Sequence, residues 1–474
     1  MMAFCSFNLI ILAAGFFLSA GHELARAIDD DYSNDTVLTV PIVRHSHASL
    51  SRELALNKSG RHPAHLHHGR ALNIYGPETQ IFNSAFLPAV GDNSFFARFQ
   101  VGSRAVTAHL MIDINAEWTW MQCQPCHTCY DQLDPIFNPG DSDTLDPVTI
   151  WSRKCNQVPG RVDPPDGSTS CTYYVAFDDE AFTFGTVMTD NFFFGGRPGS
   201  NLRLPITVQG VVFGCSTASR VRFKGAAGIL SLGRGYFSLP RQLRRSRVIF
   251  SYCLPFSLAH QTATLSIGGR VPLSSPFTPI VDNPNPAFRH LYFVSLVTIS
   301  FGGIPLPLPP FTFDMDPETG NGGVIFSTIE PITSLPPLAY TMFRDAIYLA
   351  ITHRSAHLTP APPFNMRLDS CYVPVSSEIP TSALFDGLPP ISFQFAEPDG
   401  ADLKIPYRNL LVPVVRDPFS LQPSESDRRL CLLVRPSVVP LTILGNHLQM
   451  GTRFYFDLKD NRVFIGPETC DEDA

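Results

Sequence analysis

Two pairs of short apolar segments recur in this 474-residue chain at one fixed separation. Leu110-Met111-Ile112-Asp113 is followed by Ala227-Gly228-Ile229-Leu230-Ser231, and Asp113 precedes Ser231 by 118 residues. Val324-Ile325-Phe326-Ser327 is followed by Thr442-Ile443-Leu444-Gly445, and Ser327 precedes Gly445 by the same 118. Equal intervals in the two halves point to a duplicated unit. The lobes are placed at about 90–272 and 273–474. Within them, apolar and polar residues alternate in short runs. Phe95 to Val101, Val106 to Ile112, Thr172 to Phe177, Asn191 to Gly195 and Thr207 to Phe213 are predicted strands. The 43 prolines are scattered, and each removes a backbone donor, so long helices are disfavoured. Helical cues stand at Ser238 to Leu243 and at Pro336 to Ile351. In the second, prolines open the helix and Leu338, Met342, Ala346 and Leu349 are the predicted apolar face. The expected fold is all-β, with two related β-barrel-like lobes and a few short helices.

The ends of the chain differ from this pattern. Phe4 to Leu18 is apolar but short for a membrane span, and Ala25-Arg26-Ala27 suits signal-peptidase cleavage. Residues 1–27 are therefore expected to be a signal peptide, and the protein secreted or vacuolar. Residues 28–85 are polar and irregular, with His45, His47, His62, His65, His67 and His68 and the sequons at Asn34 and Asn57. They are expected to form a solvated leader; the His cluster also suits a metal site or a pH sensor. A net charge of −7 gives no reason to expect nucleic-acid binding. Cys5 leaves with the signal peptide, and ten cysteines remain, an even set that an oxidising compartment converts to disulfides. Cys123, Cys126 and Cys129 have iron–sulfur spacing but lack a fourth ligand at the usual distance. No metal or cofactor is expected.

Chemistry concentrates at HLMIDINAEWTWMQCQPCHTC, residues 109 to 129, where a strand delivers one carboxylate, Asp113, into a turn. This stretch resembles the first active-site loop of pepsin-like aspartic proteases, in the plant branch that includes the nepenthesins. Val-Val-Phe-Gly-Cys ending at Cys215, GILSLGRGYFSLPRQL from Gly228, FSYCL from Phe250 and ILGNHLQMGTRFYFD from Ile443 are similar to that pattern in order and spacing. The resemblance covers about 95–470 and implies a pepsin-like bilobal fold.

It also implies a mechanism. Two carboxylates about 3 Å apart share one proton, because both cannot ionise together. The ionised one activates water, and the protonated one protonates the carbonyl oxygen. Asp113 matches the first aspartate. Where the family has Asp-Thr-Gly-Ser, this chain has Asp113-Ile114-Asn115-Ala116. Ile114 removes a cross-lobe hydrogen bond, and Asn115 is expected to keep the turn through positive φ. In the second loop, Gly322-Gly323-Val324-Ile325-Phe326-Ser327 puts Ser327 where the second aspartate belongs, followed by Ile329 for glycine and by Glu330. Phe177 stands at the flap tyrosine, and Trp120 matches the tryptophan that binds its hydroxyl. Asp178 and Glu180 replace flap glycines, and Ser231 replaces a glycine that supports the catalytic loop.

With Ser327 the dyad cannot form. The expectation is a catalytically inactive, monomeric member that binds a peptide or protein between its lobes. A secreted glycosidase is one such partner, as in plant xylanase-inhibiting proteins, which bind on a similar scaffold. The alternative is a weakly active acid endopeptidase. No membrane partner is expected.

Overall fold

The computed structural model describes residues 38–45 and, with several short gaps, 94–466. The expected signal peptide, most of the leader with five of its histidines, both sequons and Cys470 lie outside the described residues.

The lobes are joined by an antiparallel six-stranded sheet in the order Leu38–His45, Thr264–Ile267, Ile249–Cys253, Arg453–Asp457, Arg462–Ile465, Phe277–Val281. The junction itself is Ile249–Cys253 paired with Arg453–Asp457 near the end of the described chain. Alternating aromatics hold it. Phe250 stacks on Phe456 with centroids 4.7 Å apart, and Tyr252 on Phe454 at 5.7 Å. Offset aromatic pairs add to the area they bury. Phe454 also contacts Phe326 at 5.0 Å, so this sheet supports the strand Val324–Phe326 that leads into Ser327.

Around it each lobe builds β-structure of its own. In the first lobe, the predicted strands at Asn191 and Thr207 are parts of two long strands, Phe182–Phe194 and Ile206–Arg220. They pair antiparallel with two register shifts, which lets a long hairpin curl. Among the described residues, four disulfides each lie within one lobe: Cys123–Cys215, Cys126–Cys129, Cys155–Cys171 and Cys371–Cys431. Cys253 is also disulfide-bonded. The CxxCxxC thiols are thus engaged in disulfides.

Two expectations are corrected. The leader is not wholly solvated. Leu38–His45 pairs with Thr264–Ile267 through its first half and with strand Ser94–Val101 through its second. Val40 and Ile42 are fully buried. This is the β-branched, alternating run of an otherwise polar leader, and burial of that face outweighs the polar composition around it. The helix Pro337–Arg354 forms, but with a different face inward. It buries Tyr340, Phe343, Ile347 and Ile351, whereas Leu338 and Leu349 are about half exposed. The helix carries two apolar stripes. The sheet beside it selects the bulkier one, seating Phe343 against Phe301 and Phe393.

Candidate active site

The 118-residue spacing is the footprint of two parallel strand pairs. Met111, Ile112 and Asp113 lie beside Ile229, Leu230 and Ser231. Ile325 and Phe326 lie beside Ile443 and Leu444. The duplication extends to hydrogen bonds. The Ser231 N–H donates to Thr119 Oγ1 and the Gly445 N–H to Thr333 Oγ1, both at 3.1 Å. At Gly445 a Cβ would lie 2.7 Å from the Ile332 carbonyl carbon, so glycine is required there. At the matching position in the first lobe, Ser231 fits. Its hydroxyl donates to the Ala116 carbonyl at 2.7 Å and ties down the loop that holds Asp113. This residue, read from the sequence as a loss of support, adds a bond.

The two loops meet at the lobe boundary. Thr328 Oγ1 donates to the Ile112 carbonyl at 2.7 Å and accepts the Ile114 N–H at 3.3 Å. From the other side, Asn115 Nδ2 donates to the Phe326 carbonyl at 2.9 Å. These bonds join the residues flanking Asp113 to those flanking Ser327 and bring the two loops together. They complete one expectation and correct another. The Ile114 side chain is buried among apolar residues and makes no cross-lobe bond, but Asn115 supplies one from the next position. Asn115 is not among the positive-φ residues of the described chain, which apart from glycine are Ala105, Phe311 and Asn461. Its contribution is its amide, not its backbone freedom. Thr328, which the sequence reading passed over, carries the opposite bond. The lost Thr of the first loop was the signal that could have found it, because the motif is two-fold. Asn115→Ala is expected to cost about 1 kcal/mol by leaving the Phe326 carbonyl unpaired. Urea unfolding would show a lower midpoint at unchanged slope.

Asp113 is 6% exposed and Ser327 fully buried. Burial pushes the Asp113 carboxyl up to about 6, while the Asn115 and Ala116 N–H groups hold it back. The Asn115 N–H donates to Oδ1 at 2.7 Å. The raising influence is desolvation, not the charge of a second acid. Ser327 Oγ accepts the Glu330 N–H at 3.0 Å. The Glu330 carboxylate turns within its own lobe, where Oε1 lies 3.8 Å from Arg435 Nη2. It is 3% exposed, and neither oxygen has a well-formed hydrogen bond. Burial lifts Glu330 to about 7, against the Arg435 charge and the Ile332 N–H. Arg435, itself bonded through Nε to Ser334 Oγ, is a second residue the sequence reading missed. Ile329, in the glycine position, packs across the boundary on Phe96, Met111 and Ala226 of the first lobe. Asp314 and Asp316 lie on an exposed loop, and Asp316 Oδ1 accepts the Glu318 and Thr319 N–H groups.

Trp120 and Phe177 come together with ring centroids 6.2 Å apart. Phe177 donates its N–H to the Ala181 carbonyl at 2.8 Å, which closes the neck of the flap hairpin. Its tip, with Asp178 and Glu180, lies outside the described residues. Behind it Trp118 stands edge-on to Tyr173 at 4.4 Å, over Gly214, where a Cβ would strike both rings.

Comparison with known proteins agrees with this architecture. Residues 95–269 match the family model "Xylanase inhibitor N-terminal", and residues 291–466 match "Xylanase inhibitor C-terminal". The Arabidopsis thaliana protein ASPARTIC PROTEASE IN GUARD CELL 2 is 32% identical over 80% of this chain and 73% of its own length. Aspartic proteinase nepenthesin-2 of Nepenthes gracilis is 28% identical over 80% of this chain and 78% of its own. In fold, the crystal structure of edgp superposes with a TM-score of 0.66 at 18% identity, over 92% of this chain and 98% of that one. Basic 7S globulin from soybean superposes at 0.58 and 16% identity, over 93% of this chain and 100% of that one. On these matches, the duplicated loops and the bilobal β-fold, the chain belongs to the plant pepsin-like aspartic protease family.

Proposed function

We propose that this protein is a proteolytically inactive member of its family, secreted or vacuolar and monomeric, that binds a peptide or protein between its lobes. The observation that supports this reading is that the loop carrying the Asp113 carboxyl is bonded to a loop that carries a hydroxyl, Ser327, at the matching position. In a working dyad the second acid lets one carboxylate ionise at low pH. Asp113 has no such help. With a carboxyl held near 6 by burial, it is mostly protonated at acid pH and has no ionised neighbour to activate water. Ser327 has no titration in that range and cannot take the role.

The loop contacts that survive support binding in place of hydrolysis. Asn115, Thr328 and Ser231 keep the two loops braced although the chemistry is gone. The family model's description, xylanase inhibitor, makes a secreted glycosidase the partner class to test first.

Denatured globin incubated with the purified protein at about pH 3–5 is the direct test. No cleavage is expected, with or without pepstatin. Pepstatin-sensitive cleavage that vanishes in Asp113→Ala would favour the alternative, a weak acid endopeptidase. Pull-down of secreted glycosidases by the intact chain then tests the binding role.

A further inference from the structure

We infer that the second-lobe surface centred on Phe311 is a docking site for a protein segment that carries an apolar side chain beside a Lys or Arg. Phe311 combines two unusual features. Its backbone is left-handed, with φ +64°, and its side chain is 82% exposed. A bulky residue in that region is a costly outlier. Strain of this kind persists at sites where a side chain must be presented. Inside this chain the exposed ring gains little that would offset it.

The ring borders a cavity of about 600 Å³. Met315, Pro337 and Pro440 supply apolar walls, and Leu338 and Val438, next to two of the lining residues, are 51% and 93% exposed. A cavity of this size takes one or two side chains. An apolar surface of this kind with a polar rim marks an interaction site. The charge on the rim is of one sign. Asp314 and Asp316 line the cavity and no Lys, Arg or His does, while on its far side Asp314 also borders a neighbouring cavity lined by Arg234 and Arg289. The Asp314 carboxylate has no partner among the described residues. That is complementary to a cation placed beside the apolar anchor. A second copy of the chain is disfavoured, since a two-fold contact would set these carboxylates against their own mates. Asp113, Ser327, Phe177 and Trp120 are not part of this surface, so the inference stands whether or not the inter-lobe cleft binds peptide.

A phage-displayed library of random peptides, selected on the intact protein at neutral pH, tests it. Enriched peptides are expected to pair an apolar residue with an adjacent Lys or Arg and to weaken with salt. Binding is expected to fall at least about tenfold in Phe311→Ser and in Asp314→Asn. Phe311→Gly separates binding from folding: it should lose the peptide equally while raising Tm by roughly 1–2 °C, because glycine accepts positive φ without strain. Absence of enriched peptides, peptides lacking a basic residue, or binding indifferent to Phe311→Ser would overturn the proposal. So would a wild-type dimer in sedimentation that dissociates in Phe311→Ser, which would assign the surface to self-association.

Discussion

Replacing Ser327→Asp, Ile329→Gly and Glu330→Thr together is expected to give acid, pepstatin-sensitive proteolysis well above that of the wild type. The gain is roughly 10²–10⁴-fold or more over background, the worth of one acid or base role. The scaffold around position 327 is ready for a carboxylate. The Glu330 N–H already donates to Ser327 Oγ, as N–H groups at 115 and 116 serve Asp113 in the other lobe. Cross-lobe bonds from Thr328 and Asn115 already join the two loops. The other two substitutions remove obstacles. Ile329 fills space against Phe96 and Met111 of the first lobe, and Glu330 would be a third acid under the new dyad. Ser327→Asp alone should give much less. Globin hydrolysis as a function of pH reads the outcome, with Asp113→Ala in the same background as control. A correctly folded triple variant with no activity would show that the flap, with Phe177 in place of tyrosine, is the controlling defect.

Stability should fall as pH rises from about 4 to 8, and Glu330→Gln should remove much of that fall. Burial raises Glu330 from 4.5 to about 7 and Asp113 from 3.8 to about 6. A carboxyl whose folded pKa exceeds its unfolded value holds its proton more tightly when folded. Its contribution is complete below the unfolded value and is lost as pH climbs through the folded one. For Glu330 the window runs from about 4.5 to about 7. The loss is about 3 kcal/mol at most, at about 1.4 kcal/mol per pKa unit. Glutamine is isosteric and never ionises. Glu330→Gln is therefore expected to match the wild type near pH 4 and to exceed it by up to about 3 kcal/mol near pH 8. Denaturant titrations of both proteins across this range measure the difference. A gap that does not vary with pH would mean that Glu330 is not buried as an acid.

Local pattern determined the outline of this protein. Short alternating runs marked the β-class and the equal 118-residue intervals marked the two lobes, although core strands such as Ile249–Cys253 and Arg453–Asp457 are buried throughout and do not alternate. The repeated apolar runs that close the two loops placed Asp113 and Ser327 in register from sequence alone. The leader was misread because its polar composition averaged out one apolar run, Leu38–His45, whose partners lie about fifty and over two hundred residues away. The helix from Pro337 has two plausible apolar faces, and only the sheet with Phe301 and Phe393 selects between them. The same holds at the site. That Asn115 braces the far lobe, Ile329 packs across the boundary and Glu330 turns toward Arg435 are facts about contacts between residues far apart in sequence. Sequence periodicity encodes which face of an element is apolar. It carries no information about what that face meets, and so Asp113 could be picked out as a candidate acid while its surroundings were decided by the tertiary structure.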